Sequence, residues 1–202
     1  MSFSKINLAA FAMEALADFH TIGAVAPSSR YLAQAMLQPL PLEKTRVVVE
    51  LGSGTGVMTQ ALLNLIPRDA TLFAFEINPR FFQYLKSTVS DPRLVLMNAS
   101  AEAVGTELRR RGYQHADAVV SSLALGLMSN LQRHAVLSGI GSLLDETSVF
   151  TQYQYFHGLQ LQNGQLRKFN VSRLLRQYFN SVQRKIIWRN LPPAFVFACR
   201  GR

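Results

Sequence analysis

The sequence predicts an α/β fold built on a mostly parallel sheet, with helices on both of its faces. Three observations predict it. From residue 46 onward, short runs rich in Val, Leu and Phe alternate with segments of helical period. The leading runs are apolar nearly throughout, as strands are when both faces are covered. The first of them, VVVEL, opens into a glycine-rich loop and then a helix, which is how parallel strands are connected.

The elements follow in order. Residues 46–51 read as a buried strand and residues 57–66 as its helix. Residues 70–76 (ATLFAFE) are the second strand. A helix follows over 79–89, with Pro79 in the first turn, where its missing N–H does no harm. Residues 93–97 form a third strand, and 102–111 a short helix that Gly112 ends. Residues 116–121 form a fourth strand and 131–144 a helix. Residues 147–156 form a fifth strand, long and aromatic. HGLQLQNGQ reads as a loop. NVSRLLRQYFNSV reads as a helix over 171–182, because Val171, Leu174, Leu175, Tyr178, Phe179 and Val182 share a stripe. Residues 183–188 and 194–199, joined by NLPP, close the sheet as an antiparallel pair and bring it to seven strands. Ahead of the first strand, 4–19 reads as a helix, TIGAVAPSSR as a loop and 31–37 as a second short helix. Residues 1–45 are thus expected as an N-terminal helical lid or membrane-proximal segment, and 46–202 as one structural unit.

Composition narrows the class. The 202 residues suit one domain of ordinary size. With 49% hydrophobic and 16% charged residues the chain is folded, not disordered. No run approaches the roughly 18 apolar residues of a membrane span. The first residues carry Glu14 and Asp18 and make a poor signal peptide. Cys199 is the single cysteine, so no intrachain disulfide forms and a reducing cytosol is expected. The net charge of +9 is unevenly placed. Up to Glu146 there are 12 Lys and Arg against 12 Asp and Glu; beyond it there are nine Lys and Arg and no acid. An anionic partner, nucleic acid or membrane, or simply a solubilising face, would account for that excess.

The loop ELGSGTG holds Gly52, Gly54 and Gly56 in a G-x-G-x-G spacing. A dinucleotide site wants G-x-G-x-x-G, and Glu50 beside the loop would repel a pyrophosphate. The loop suits a neutral or cationic ligand. Glu76 ends the second strand, about 25 residues after the loop begins, where one carboxylate accepts from two adjacent hydroxyls.

Glycine loop and Glu76 together resemble the class I S-adenosylmethionine-dependent methyltransferases, whose fold is Rossmann-like. The resemblance implies a loop wrapped around the methionine part of the cofactor, with Glu50, Gly52, Ser53, Gly54 and Gly56 as contacts. Glu76 and Ile77 would take the ribose side. NASAE would meet the adenine through Asn98, Ser100, Ala101 or Glu102, since the family's frequent aspartate is Ala99 here; Glu102 would equally well charge the start of its helix. Ser121 and Ser122, ending the fourth strand, complete the cofactor set. No metal is expected.

Adenine methyltransferases acting on DNA and ribosomal RNA carry a proline pair and an aromatic after the fourth strand; VVSSLALGLMS has neither. GAVAPSSRYLAQAM and WRNLPPAFVFACR resemble the bacterial phospholipid N-methyltransferases, which methylate phosphatidylethanolamine towards phosphatidylcholine, and the likeness runs from Gly23 to Arg200. One departure stands out: that family tends to have Ser-Gly-Leu-Pro where this chain has Ser121-Ser122-Leu123-Ala124. The resemblance implies transfer to a lipid amine, with the protein peripheral to the inner face of the membrane. Tyr153, Tyr155 and His157 are the candidates facing the amine. Ser28, Ser29, Arg30, Arg189 and Asn190 are the candidates for the lipid phosphate, arginine suiting that bidentate task. The helix over 171–182 fits either a sheet cover or an anionic interface, and the one over 4–19 fits an apolar lid. An RNA or protein methyltransferase, or a non-catalytic cofactor-binding adaptor, stands as the alternative.

Overall fold

The computed structural model describes residues 27–155, 159–162, 165–190 and 192–201, the backbone alone at 27–29, 159–162 and 165–168. The expected helix over 4–19, the loop that follows it and His157 lie outside the described residues. The strands are β1 (Val47–Leu51), β2 (Thr71–Phe75), β3 (Leu94–Met97), β4 (Ala118–Ser121), β5 (Val149–Tyr155), β6 (Leu159–Gln162), β7 (Gln165–Lys168), β8 (Ser181–Ile187) and β9 (Ala194–Arg200). Seven form one sheet in the order β3-β2-β1-β4-β5-β9-β8, and β6 pairs with β7. Strands β1 to β5 run parallel, while β9 is antiparallel to both β5 and β8.

The helices are α1 (Pro27–Leu37), α2 (Val57–Leu63), α3 (Pro79–Thr88), α4 (Val104–Arg110), α5 (Asn130–Gly141) and α6 (Val171–Leu175). Period-2 alternation sorts the strand residues between two cores. Val48, Leu72, Val120, Val149 and Val196 point to one face, under Leu32 and Met36 of α1 and Leu62 and Leu63 of α2. Val49, Phe73, Val119, Phe150 and Phe197 point to the other, against α4, α5 and α6. The sequence starts these helices in recognisable ways. Asn78 caps α3, with Pro79 at its first position. Ser129 and Gln132 form a reciprocal capping box on α5. The strand order reverses between β1 and β4, and in such sheets the ligand crevice opens there, at the carboxyl ends of the strands.

Three local expectations change. The segment PSSR is helical: α1 begins at Pro27, so Ser28, Ser29 and Arg30 occupy its first turn and not a loop. HGLQLQNGQ contains a hairpin, with Gln162 opposite Gln165. Its signal was present as L-Q-L-Q alternation before Asn163-Gly164, the strongest two-residue hairpin dipeptide. The helix expected over 171–182 is only five residues long, capped by Asn170, and Val182 already belongs to β8. Val171, Leu175, Phe179 and Val182 are all buried, and Phe179 lies 5.3 Å from Phe150, ring centroid to centroid. That stripe is core, so it presents no face to a membrane. From Ser181 the backbone exchanges helical bonds for a full ladder with β9.

Candidate functional site

The glycine loop is tied to the next strand before any ligand is considered. Gly52 and Ser53 donate their N–H groups to the Phe75 carbonyl at 2.9 and 3.1 Å. The three glycines differ in what requires them. Gly52 has φ +80°, and a Cβ there would stand 3.3 Å from Leu123. Gly56 has φ +86°, and a Cβ would come within 2.2 Å of Leu85, so α3 packs where a side chain would be. Gly54 has φ +53° and nothing within 4 Å of a built Cβ. Its open face is the one a ligand can approach.

Glu50 is fully buried beneath this loop. Thr59 of α2 donates to its Oε2 at 2.6 Å, while Oε1 has no hydrogen-bond partner among the described residues. Burial pushes the carboxyl up to about 7, against the Thr59 hydrogen bond and with a smaller push from Glu76. A buried acceptor without a donor fits a ligand that carries an ammonium group. Glu76, also buried, accepts from Gly54 N and Asn78 N, both at 2.7 Å. Each ionised oxygen keeps a further lone pair, so the carboxylate can still accept from a ribose. Ile77 beside it is 60% exposed, a bare apolar wall at the rim.

The end of β3 is more structural than expected. Asn98 Nδ2 donates to the carbonyls of Glu76 and Ile77, bracing the β2 end. Ser100 caps the 3-10 turn Ala101–Ala103 by accepting from Glu102 N. Glu102 charges that turn, and Ala101 is buried in the core.

The residues expected to face the acceptor gather over β4, β5 and β8. Ser121 is buried and accepts from Leu123 N at 3.3 Å, closing the loop after β4, with Ser122 N bonded to Leu51 O. Ala124 has φ −78°, an angle proline also holds, so the backbone keeps there what the family's proline would fix. Tyr153 and Tyr155 share the α1 face, their rings 5.3 Å apart and edge-on at 73°. Burial raises both phenols, so they are neutral at physiological pH. Residues 158 apart in the chain meet here: Arg30 lies 5.0 Å and Arg189 5.3 Å from the centre of the Tyr31 ring. Arg30 also donates to the Tyr31 hydroxyl at 3.2 Å, and the two guanidiniums, Arg30 first, hold the phenol's pKa below its ordinary value. Asn190 is buried; its Nδ2 donates to Pro192 O, and it bonds to Tyr155. Ser28 and Ser29 stand at the start of the same helix as Arg30.

Two residues not singled out from the sequence shape this region. Gln152, buried on β5 just ahead of the two tyrosines, donates to the Leu123 carbonyl at 2.9 Å. Its place at the head of QYQY is the sequence signal. Tyr31 was read only as a helix residue; its partner Arg189 is invisible without the tertiary fold. A cavity of about 800 Å3 between α1 and α2 takes in Arg30 and Val57 but none of the glycines, Glu50 or Glu76, so it is not the cofactor crevice.

Fold and site together define a class I S-adenosylmethionine-dependent methyltransferase. The family model of ribosomal RNA adenine dimethylase matches residues 28–111, less than half of the chain and ending before β4. The chain is 27% identical over 181 residues, 89% of its length and 88% of the relative's, to the ornithine lipid N-methyltransferase of Singulisphaera acidiphila. Among solved structures it resembles Burkholderia thailandensis 1,6-didemethyltoxoflavin-N1-methyltransferase, which has S-adenosylhomocysteine bound. That likeness has a TM-score of 0.70 at 19% identity and covers 96% of this chain and 87% of the other. Human methyltransferase-like protein 13, in complex with S-adenosylhomocysteine, follows at TM-score 0.62 and 16% identity, with 89% and 83% covered. These structural likenesses concern the fold.

Proposed function

We propose that this methyltransferase acts on the amine of a lipid head group, phosphatidylethanolamine or another aminolipid, at a membrane surface. The observation that carries the reading is the convergence of Arg30 and Arg189 on Tyr31, next to the Tyr153–Tyr155 pair and Asn190. A zwitterionic head group has an anion and an amine a few bonds apart, and this arrangement offers a partner to each. The two guanidiniums would grip the phosphate or carboxylate. The tyrosine faces would hold the ammonium, at roughly 0.5–2 kcal/mol per ring. The likeness to the ornithine lipid N-methyltransferase, which spans the acceptor half as well as the cofactor half, supports the same reading.

Bound S-adenosylmethionine supplies an electrophilic methyl group on a sulfonium. Glu50 and the open face of Gly54 would hold its amino-acid end, Glu76 the ribose, and Ile77 with the 98–102 turn the adenine. An alkyl ammonium, with a pKa of roughly 10.4, must lose a proton before it attacks. The neutral tyrosines do not take it; a nearby base or a chain of waters would, His157 being the other residue expected to face the amine. Gln152 holds the Leu123 carbonyl and with it the wall between the two halves. Most of the rate enhancement would come from positioning.

A second reading, methylation of RNA, draws on the match to the ribosomal RNA adenine dimethylase model. That match ends before β4, where a base platform would stand. The deciding experiment incubates the protein with radiolabelled S-adenosylmethionine and vesicles containing phosphatidylethanolamine, or an ornithine lipid, beside total RNA. Label in methylated lipid is expected. Label in RNA alone would overturn the lipid reading.

A further inference from the structure

The exposed apolar side chains are not scattered. Seven large ones are exposed among the described residues, and five stand at the carboxyl edge of the sheet, around the crevice. Val57 starts α2 after β1, Ile77 follows β2, Leu127 and Leu131 follow β4, and Trp188 follows β8. Leu131 is 78% and Trp188 68% exposed. A single exposed Leu means nothing, but a rim of them around one mouth marks an interaction surface.

Exposed acids are sorted along the same axis. Arg46–Asp69, Arg93–Asp91 and the pairs of Arg110 and Arg111 with Glu107 all lie at the opposite edge, where the parallel strands begin. Asp117, Asp145 and Glu146 are at that edge too, ahead of β4 and β5. At the crevice edge the exposed cations Arg30, Arg80 and Arg189 enter no ion pair among the described residues. Glu102 is the exposed acid on this edge, since Glu50 and Glu76 are buried. One end of the molecule is therefore apolar and cationic, the other mixed in charge, with Lys44, Arg68, Arg109 and Arg200 exposed there among the acids.

We infer that the crevice edge itself docks on an anionic bilayer, with Trp188 and Leu131 entering the interface and Arg30, Arg80 and Arg189 facing the head groups. The inference rests on the lipid-amine reading and names the face that delivers the substrate. Tryptophan suits an interface that is apolar on one side and wet on the other. Unpaired arginines add attraction to anionic lipid. Docked this way, the mouth of the crevice opens into the head-group layer, and a lipid reaches Tyr153 without leaving the bilayer.

The test uses the full chain and vesicles of phosphatidylcholine with phosphatidylglycerol. Partition is read by sedimentation, and S-adenosylmethionine affinity by calorimetry. Methyl transfer is measured to a short-chain aminolipid kept monomeric. The double variant Trp188→Ala, Leu131→Ser should lower partition by about tenfold or more. It should leave cofactor affinity and transfer to the monomeric lipid unchanged. Leu65→Ser, an exposed site at the opposite edge, should leave partition unchanged. Equal partition by wild type and double variant, or an equal loss in Leu65→Ser, would overturn the docking face. Methylation of monomeric lipid without any vesicle binding would remove the docking face and leave the lipid-amine reading standing. No methylation of either lipid form would remove both.

Discussion

At the residue scale, Glu50 governs how the crevice responds to pH. Its folded carboxyl sits near 7 against an ordinary 4.5. Below the ordinary value the group is neutral whether the chain is folded or not. Between the two values the unfolded chain has released the proton that the folded one retains. The stability it contributes is therefore complete below about pH 4.5 and lost as pH rises through about 7, on the order of 3 kcal/mol at most. Thermal unfolding of the ligand-free protein should show the Tm falling across that window, and Glu50→Gln should flatten the fall. An unchanged slope in the variant would assign it to other groups. Glu50 was legible in the sequence because it borders the glycines. That it would be half-satisfied, by Thr59 alone, was not, since Thr59 comes nine residues later on the helix packed over it.

At the element scale, the informative case is α6. A stripe at i, i+4 and i+8 marks a buried face, and Val171, Leu175 and Phe179 are indeed buried. It does not say how far the helix continues, because a strand entering the same core can supply the next apolar residue, as Val182 does. Leu175→Ala should lower the stability by roughly 2–5 kcal/mol, the usual cost of emptying a core leucine site, read as a fall in denaturant midpoint. A loss below about 0.5 kcal/mol, as surface sites show, would mean the stripe is exposed after all. Strand β8 lies at the sheet margin, and its Arg184 and Lys185 are exposed there. Charges on an edge strand discourage pairing with a second chain, which accounts for part of the basic excess without any partner.

For the whole molecule, the distribution of charge in space differs from its distribution in sequence. Counting along the chain places the excess after Glu146; the fold gathers unpaired arginines from α1, α3 and the end of β8 at one edge. The electrostatic part of a vesicle interaction at that edge should weaken as salt rises from about 0.1 M to about 1 M, where the screening length falls from about 10 Å to 3 Å. The apolar part should remain, so partition should fall to a plateau and not to zero. Complete loss at high salt would mean the apolar rim does not enter the bilayer.

By itself the sequence determined the parallel sheet, the glycine loop with its two buried acids, and the neutral or cationic character of the ligand. Those features are local: strand period, loop spacing and the acid at a strand end are each written within a few adjacent residues. The tertiary structure alone decided which arginines meet, where the stripe of α6 ends, and that the exposed acids, Glu102 aside, gather at the end of the sheet away from the crevice. Each of these depends on which strands become neighbours. Arg30 and Arg189 face one tyrosine because β9 inserts between β5 and β8 and carries the chain's last turn back beneath α1, a consequence of packing that no stretch of residues states on its own.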